Sequence, residues 1–271
     1  LSLEASVIVP VYKQPQGVRH TLESLQAQTG AGSFEVIVVD NDSPDDTGQA
    51  AERALDELAL EGRVVREERK GSYAARNRGI EEAGGDVLAF TDADCRPEPA
   101  WLIAGLERVE NGASRVTGPI RLTYRKHRPN AYEFYDARRN LLQHRYAAHG
   151  WAATANLIVC RAALDEVGPF DESLQSGGDL EIGMRFQQAG HRVLWDERAV
   201  VWHPARSTLR QLKQKIERVK EGRERIDANF ADPPRLCGDY PTPPERELRP
   251  DVFEMVRFLI IRRKLDTLKR R

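Results

Sequence analysis

The stretch Gly85-Asp-Val-Leu-Ala-Phe-Thr-Asp-Ala-Asp-Cys-Arg-Pro-Glu-Pro-Ala-Trp101 decides the fold. Val87 to Thr91 is a short apolar run behind Gly84-Gly85, which reads as a buried strand of the parallel type. The run ends in Asp92-Ala93-Asp94. Side chains alternate in an extended segment, so both carboxylates are expected to point the same way. Two carboxylates aimed at one point suit a hard divalent cation. The C-terminal edge of an open α/β sheet is also where ligands bind. Pro99 can open the helix that follows. An Asp-x-Asp on its own is more often a solvated loop than a metal site, so the rest of the chain has to decide.

Upstream, Ser6-Val-Ile-Val-Pro-Val11 and Phe34-Glu-Val-Ile-Val-Val39 are β-branched runs and read as buried strands, with Val64-Val65 as a shorter third. Between them lie apolar residues at helical spacing: Val18, Leu22 and Leu25, then Ala50, Ala54, Leu55 and Leu58. Asp45 or Asp46 can cap the second helix, and Ser72 a third that runs to about Ala83. Trp101, Leu102, Leu106 and Val109 lie on the helix after the Asp-x-Asp. Strands alternating with helices over short connections predict an α/β fold with a mostly parallel sheet flanked by helices.

The second half is less regular. Strands are expected at 115–119, 155–159, 193–195 and 199–202, the last closed by His203-Pro204. A helix is expected over 131–147, another from Arg161, and a third from Asp179, after the Gly177-Gly178 break, to Gly190. Residues 206–226 form a charged helix with a narrow stripe of Leu209, Leu212, Ile216 and Val219. Six prolines between 231 and 250 read as a linker, and 252–268 as a basic amphipathic helix.

The chain has 271 residues and a net charge of -1, which allows a sizeable core and gives no global field for nucleic acid. Its three cysteines, Cys95, Cys160 and Cys237, are far apart. That spacing argues against a zinc site or disulfide framework and fits a reducing compartment. No run reaches the ~18 apolar residues of a membrane span, and no signal-peptide pattern precedes the first strand. A cytoplasmic location is therefore expected. Tyr12-Lys-Gln-Pro-Gln-Gly17 is not a Gly-x-Gly-x-x-Gly loop, which disfavours a nicotinamide dehydrogenase, and no Walker A lysine loop is present.

Seven short pieces in order then resemble the family 2 glycosyltransferases of GT-A fold. They are Val7-Ile-Val-Pro-Val-Tyr12, Phe34-Glu-Val-Ile-Val-Val-Asp40 with Asn41-Asp-Ser43, Ala75-Arg-Asn-Arg-Gly79, Ala89-Phe-Thr-Asp-Ala-Asp94, Gly168-Pro-Phe-Asp-Glu172, Gly178-Asp-Leu-Glu181 with Arg185, and Val200-Val-Trp-His203. The resemblance covers about residues 5 to 204 and implies a GT-A domain over 1–204. Residues 1–118 would bind a nucleotide sugar and 119–204 an acceptor, with 205–271 as a helical C-terminal extension. Two departures stand out. The family often has Glu-Asp where this chain has Gly178-Asp179, and Asp or Asn where it has Cys95.

The resemblance implies metal-dependent transfer of a sugar, with inversion, from a nucleoside diphosphate sugar to a hydroxyl of a glycan or lipid-linked acceptor. Asp94 matches the metal-binding Asp, with His203 as a further ligand and Asp92 nearer the ribose. An oxygen-rich set with one imidazole allows Mg²⁺ or Mn²⁺. Asp40 falls where the family reads the base; a carboxylate there accepts N–H donors of uracil, thymine or guanine, with UDP the default. Pro10, Val11, Tyr12, Lys70, Arg76, Asn77 and Ala93 complete the donor side. Asp179 is the general base, which the N-terminus of its helix would hold ionised. Glu181 would bind acceptor or orient Arg185, and Trp151 would stack on a sugar. Three rivals stay open: a non-catalytic nucleotide-sugar-binding protein, a retaining enzyme on the same fold, and a nucleotidyltransferase, for which Tyr12 to Gly17 lacks the Gly-rich basic loop. The C-terminal helix fits peripheral contact with the inner face of a membrane, docking on the protein's own body, or self-association.

Overall fold

The computed structural model describes residues 4–229 and 252–270. In chain order the elements are β1 (Ala5–Val11), α1 (Pro15–Gln26), β2 (Phe34–Asp40), α2 (Thr47–Glu57), β3 (Gly62–Arg66), α3 (Ser72–Glu82), β4 (Val87–Phe90), β5 (Arg96–Pro97) and α4 (Trp101–Glu110). There follow β6 (Arg115–Thr117), β7 (Ile120–Thr123), α5 (Ala131–Arg139), α6 (Gln143–Ala148), β8 (Leu157–Cys160), α7 (Arg161–Val167), α8 (Gly178–Gln188), β9 (Val193–Trp195), β10 (Val201–Pro204), α9 (Leu209–Asn229) and α10 (Val252–Arg270). The proline-rich stretch expected to be a linker lies outside the described residues.

Seven strands form one sheet in the order β3-β2-β1-β4-β8-β6-β9. β1, β2, β3 and β4 pair in parallel, and β8 runs antiparallel between β4 and β6. Val7, Ile8 and Val9 at the centre are fully buried, as a strand covered on both faces requires. Each such side chain contributes roughly 1.5–3 kcal/mol by leaving water. The sheet is thus parallel through its first half, as the alternation predicts, and mixed beyond β4.

A second sheet, β5-β10-β7, has no clear sequence signal, because β5 is two residues long and includes Pro97. It places His203. β5 follows the Asp-x-Asp directly and pairs antiparallel with β10, Trp202 opposite Arg96. The next residue along β10, His203, therefore comes up beside the turn that carries Asp94. Asn156 ties this sheet to the main one: its Nδ2 donates to the carbonyls of Gly118 (3.1 Å) and Ala199 (2.8 Å), and its Oδ1 accepts from Trp101 Nε1 at 2.9 Å.

Several local expectations change. The helix expected over 131–147 is two helices, broken at Asn140 to Leu142 with Leu141 at φ 52°. The buried Asp136 carboxylate draws the Asn140 side chain (2.7 Å) and the Arg206 backbone N–H (2.9 Å), a tertiary demand that the helical pattern does not carry. Gly71, at φ 128°, sits at the N-cap of α3 in place of Ser72.

α9 and α10 pack on α5. Leu212 and Ile216 meet Phe258, Ile261 and Leu265 around Phe134 and Tyr135, with Phe134 and Phe258 edge to face at 4.9 Å. The C-terminal helix is therefore docked on the protein's own body. Its buried face is Phe258, Ile261 and Leu265, while Leu259 and Ile260 are 57% and 55% exposed. Of the α9 stripe, Val219 is also exposed. Among the described residues no helix is long and apolar enough to cross a membrane.

Candidate active site

The C-terminal ends of β1 and β4, the start of α3, the loop before α8, and α9 enclose a cleft of about 1010 Å³. Pro10, Val11, Tyr12, Lys70, Arg76, Asp92, Ala93, Asp94, Asp179 and His203 all line it. Ten of the residues singled out in the sequence are thus brought together.

Asp92 and Asp94 do not lie on an extended segment. β4 stops at Phe90, and Asp92 to Cys95 form a turn closed by Cys95 N–H donating to Asp92 O at 3.0 Å. The turn still points both carboxylates into one place. Ligand atoms of Asp92, Asp94, Cys95 and His203 lie within 4.8 Å of one another. His203 Nε2 is 3.8 Å from Asp94 Oδ1, and its Nδ1 is 2.8 Å from the Pro204 carbonyl. A carbonyl only accepts, so Nδ1 carries a proton, and Nε2 is the ring nitrogen that faces Asp94. This is how a metal-ligating histidine is oriented. The Cys95 thiol is fully buried, which pushes its pKa well up and keeps the sulfur protonated. The oxygen and imidazole donors fit a hard or borderline divalent ion, and burial, opposed by His203, raises the Asp94 carboxyl above its ordinary range.

Asp92 has a different neighbour. Its Oδ1 accepts from Arg76 Nη2 at 2.5 Å, and Arg76 is itself buried on the first turns of α3. Asp179 is the second residue of α8, behind Gly177, so it is not the helix cap. Its Oδ1 accepts from Thr154 Oγ1 (3.1 Å) and its Oδ2 from Thr154 N–H (3.4 Å). Burial outweighs the helix N-terminus expected to hold it ionised: the carboxyl is pushed up, with Arg76 pulling the other way.

The departure at Gly178 has a steric cause. A Cβ there would stand 2.6–2.8 Å from the Tyr73 ring, which stacks on Phe170 with centroids 5.6 Å apart. The tyrosine fills the space that a side chain at 178 would use.

Other candidates have structural work. The Asp40 carboxylate accepts from Ser43 N–H at 3.1 Å and packs against Gly48, so Asn41 and Asp42 border the cleft in its place. Asn41 Oδ1 accepts from Gly71 N–H (2.8 Å) and fixes the loop that carries Lys70. Asn77 bonds to the backbone of Phe170 in both directions at 2.9 Å. Trp151 is 8% exposed, stacked on Tyr146 at 3.9 Å and pressed on Gly183. Glu181 grips Arg185 at 2.7 and 2.8 Å, and Arg185 spends its other donors on the carbonyls of Val167, Gly168 and Pro169. Of the two roles open to Glu181, it orients Arg185. Neither of them, nor Trp151, lines the cleft.

Thr154, Tyr73 and three cations, Arg206, Lys215 and Arg218, also line the cleft without having been singled out. Thr154 carries no motif of its own in Ala-Ala-Thr-Ala-Asn. The cations were legible only as the charged side of a helix.

Residues 6–166 match the glycosyl transferase family 2 profile. The chain belongs to this family. Glycosyltransferase AglE of Haloferax volcanii is 36% identical over 230 residues, 82% of this chain and 73% of that protein. A pre-mycofactocin glycosyltransferase of Mycobacterium tuberculosis is 27% identical over 216 residues, and the chain spans 44% of its length. Among solved structures, the mannosyltransferase PcManGT of Pyrobaculum calidifontis, in complex with GDP-Man and Mn²⁺, has a TM-score of 0.68 at 20% identity over 98% of this chain and 70% of that one. S. aureus TarS with UDP-GlcNAc has a TM-score of 0.61 at 21% identity, over 82% of this chain and 66% of that one. The family 2 chain is a glycosyltransferase of GT-A fold.

Proposed function

We propose that the enzyme moves a sugar from a nucleoside diphosphate sugar to an acceptor hydroxyl with inversion, in glycan assembly. The observation that carries this reading is that Asp179 lines the same cleft as Asp92, Asp94 and His203. Asp94 and His203 would hold Mn²⁺ or Mg²⁺, and the ion would offset charge on the departing diphosphate. Asp92 and Arg76 fix one another beside it and orient the donor. Tyr12, Asn41 and Asp42 at the cleft's edge would meet the base; a carboxylate there takes N3–H of uracil, which keeps UDP as the donor to test first. Asp179 accepts the proton of the attacking hydroxyl, and its raised pKa brings it nearer the operating pH, where a general base works best. Thr154 holds the carboxylate in place. Residues 1–118 would form the donor half, 119–204 the acceptor half, and 205–271 the helical extension that closes the cleft through α9. Leu259 and Ile260, exposed beside Arg257, Arg262 and Arg263, favour peripheral contact with an anionic membrane at its inner, cytoplasmic face.

The test is a panel of UDP, GDP and dTDP sugars with Mn²⁺, scored by thermal shift and by release of the nucleoside diphosphate. Stabilisation and slow hydrolysis with a UDP sugar are expected. A panel that neither stabilises the protein nor is hydrolysed would defeat the reading.

A further inference from the structure

The cations on the α9 wall of the cleft have no role in the transfer described above. Arg206, just ahead of α9, and Lys215 and Arg218 on it line the cleft. Arg206 is paired, 3.2 Å from the buried Asp136. Lys215 and Arg218 have no hydrogen bond or ion pair with any described residue. Elsewhere on the helix Lys220 pairs with Glu224 (3.8 Å) and Arg223 with Asp227 (2.7 Å), while Arg210 and Lys213 are exposed to solvent. Glu217 and Glu221 also border the cleft, yet neither reaches Lys215 or Arg218. Of these helix cations, Lys215 and Arg218 are the ones that line the cleft.

Those two cations are held there by packing. A Cβ at Gly222 would stand 2.0 Å from the Ser176 carbonyl oxygen, so only glycine lets α9 approach the loop before α8 this closely. Ile226 is buried against Gly177, and Arg225 donates to the Ser173 carbonyl. Burial, together with Arg206 and Arg218, pulls Lys215 down to about 8 against the opposing pull of Asp179 and Asp136, and burial and Arg206 lower Arg218 against Tyr73 and Asp92. The nearby carboxylates make no direct contact with either cation, so an anion of the right size can still bind between the two. Neutral sugar hydroxyls need no such pair, whereas a phosphate offers both the charge and the acceptor oxygens.

We propose that Lys215 and Arg218 form a phosphate-binding site on the α9 wall, which receives a phosphate carried by a substrate. The inference rests on the glycosyl-transfer reading for its substrates. Two sources share this chemistry: the diphosphate of the donor, or a phosphate on the acceptor.

The test uses the whole chain with the double variants Lys215→Gln/Arg218→Gln and Lys215→Arg/Arg218→Lys, each first checked for an unchanged unfolding midpoint. One arm measures UDP, UMP and inorganic pyrophosphate by calorimetry with Mn²⁺. The other measures dodecyl phosphate against dodecanol in the presence of saturating UDP. The glutamine variant should lose roughly 10-fold or more in affinity for the phosphate ligand of one arm, the scale of losing a charged hydrogen bond. The charge-keeping swap should stay near wild type. Loss for UDP and pyrophosphate assigns the donor; loss for dodecyl phosphate assigns the acceptor. Unchanged affinity in both arms overturns the site. If wild type binds no nucleotide but the glutamine variant still loses pyrophosphate, the glycosyl-transfer reading fails and the phosphate site survives.

Discussion

Replacing Asp179 by asparagine separates chemistry from fold at the residue proposed as base. The change is nearly isosteric. The amide oxygen can still accept from Thr154 Oγ1, now at 3.1 Å from Asp179, and only the longer 3.4 Å contact to Thr154 N–H is lost. The expected change from that contact is within ~1 kcal/mol. Charge works in the opposite direction. Burial raises the Asp179 pKa, so the folded state holds this proton more tightly than the unfolded chain does. Its stabilising contribution is complete below the unfolded pKa and is lost as pH rises through the folded one. At neutral pH the asparagine variant should therefore be as stable as wild type or more so. Sugar transfer should fall by ~100-fold or more, which is roughly 2.7 kcal/mol on the barrier. Donor affinity should hold. Wild-type rate should climb with pH along an acid limb above the usual carboxylate range, and the variant's residual rate should lack that limb. Single-turnover transfer from pH 4 to 9, beside denaturant melts and donor titrations, measures all three. A variant that keeps a near wild-type rate, or the same acid limb, would refute the assignment.

Asp94→Asn should abolish the gain in donor affinity that Mn²⁺ gives and leave the melt intact; equal affinity with and without Mn²⁺ in wild type would refute the metal role. Gly178→Glu should destabilise the fold by ~1–3 kcal/mol through collision with the Tyr73 ring, and Tyr73→Ala in the same chain should recover part of that in urea melts. Phe258→Ala, which removes the edge-to-face partner of Phe134, should lower stability by about 3 kcal/mol; no change would mean that α10 is not docked on α5. Wild type should co-sediment with anionic vesicles at low salt, each basic residue near the surface adding ~1 kcal/mol, and Leu259→Ser/Ile260→Ser should release it without shifting the melt.

What was legible in the sequence is what short-range physics writes there. β1, β2 and β4 are buried on both faces, so their apolar runs had to be continuous, and the runs end where the chain turns into the cleft. That alone brought Pro10 to Tyr12 and Asp92 to Asp94 to one edge. Asp179 and His203 needed family motifs, because β5 is too short to announce the sheet that carries His203 to Asp94. The motif residues that do not line the cleft share a different property. Asn77 and Arg185 satisfy backbone groups and Glu181 holds Arg185 in place, and a sequence gives such a residue the same letter as one that meets substrate.

The opposite error concerns α9. Lys220 with Glu224 and Lys215 with Arg218 look alike in the sequence, as charges on a helix. What separates them is that Lys215 and Arg218 line the cleft, where α9 sits close on the loop before α8. The closeness follows from one residue, Gly222 against the Ser176 carbonyl. The same contact that sets two bare cations at the cleft also steadies the segment leading to Asp179. The proposed base and the cationic wall are therefore joined through the packing of α9 on the loop before α8, a region that the profile match to residues 6–166 does not include. Substrate differences within the fold can accordingly arise from α9 while the Asp-x-Asp edge stays the same.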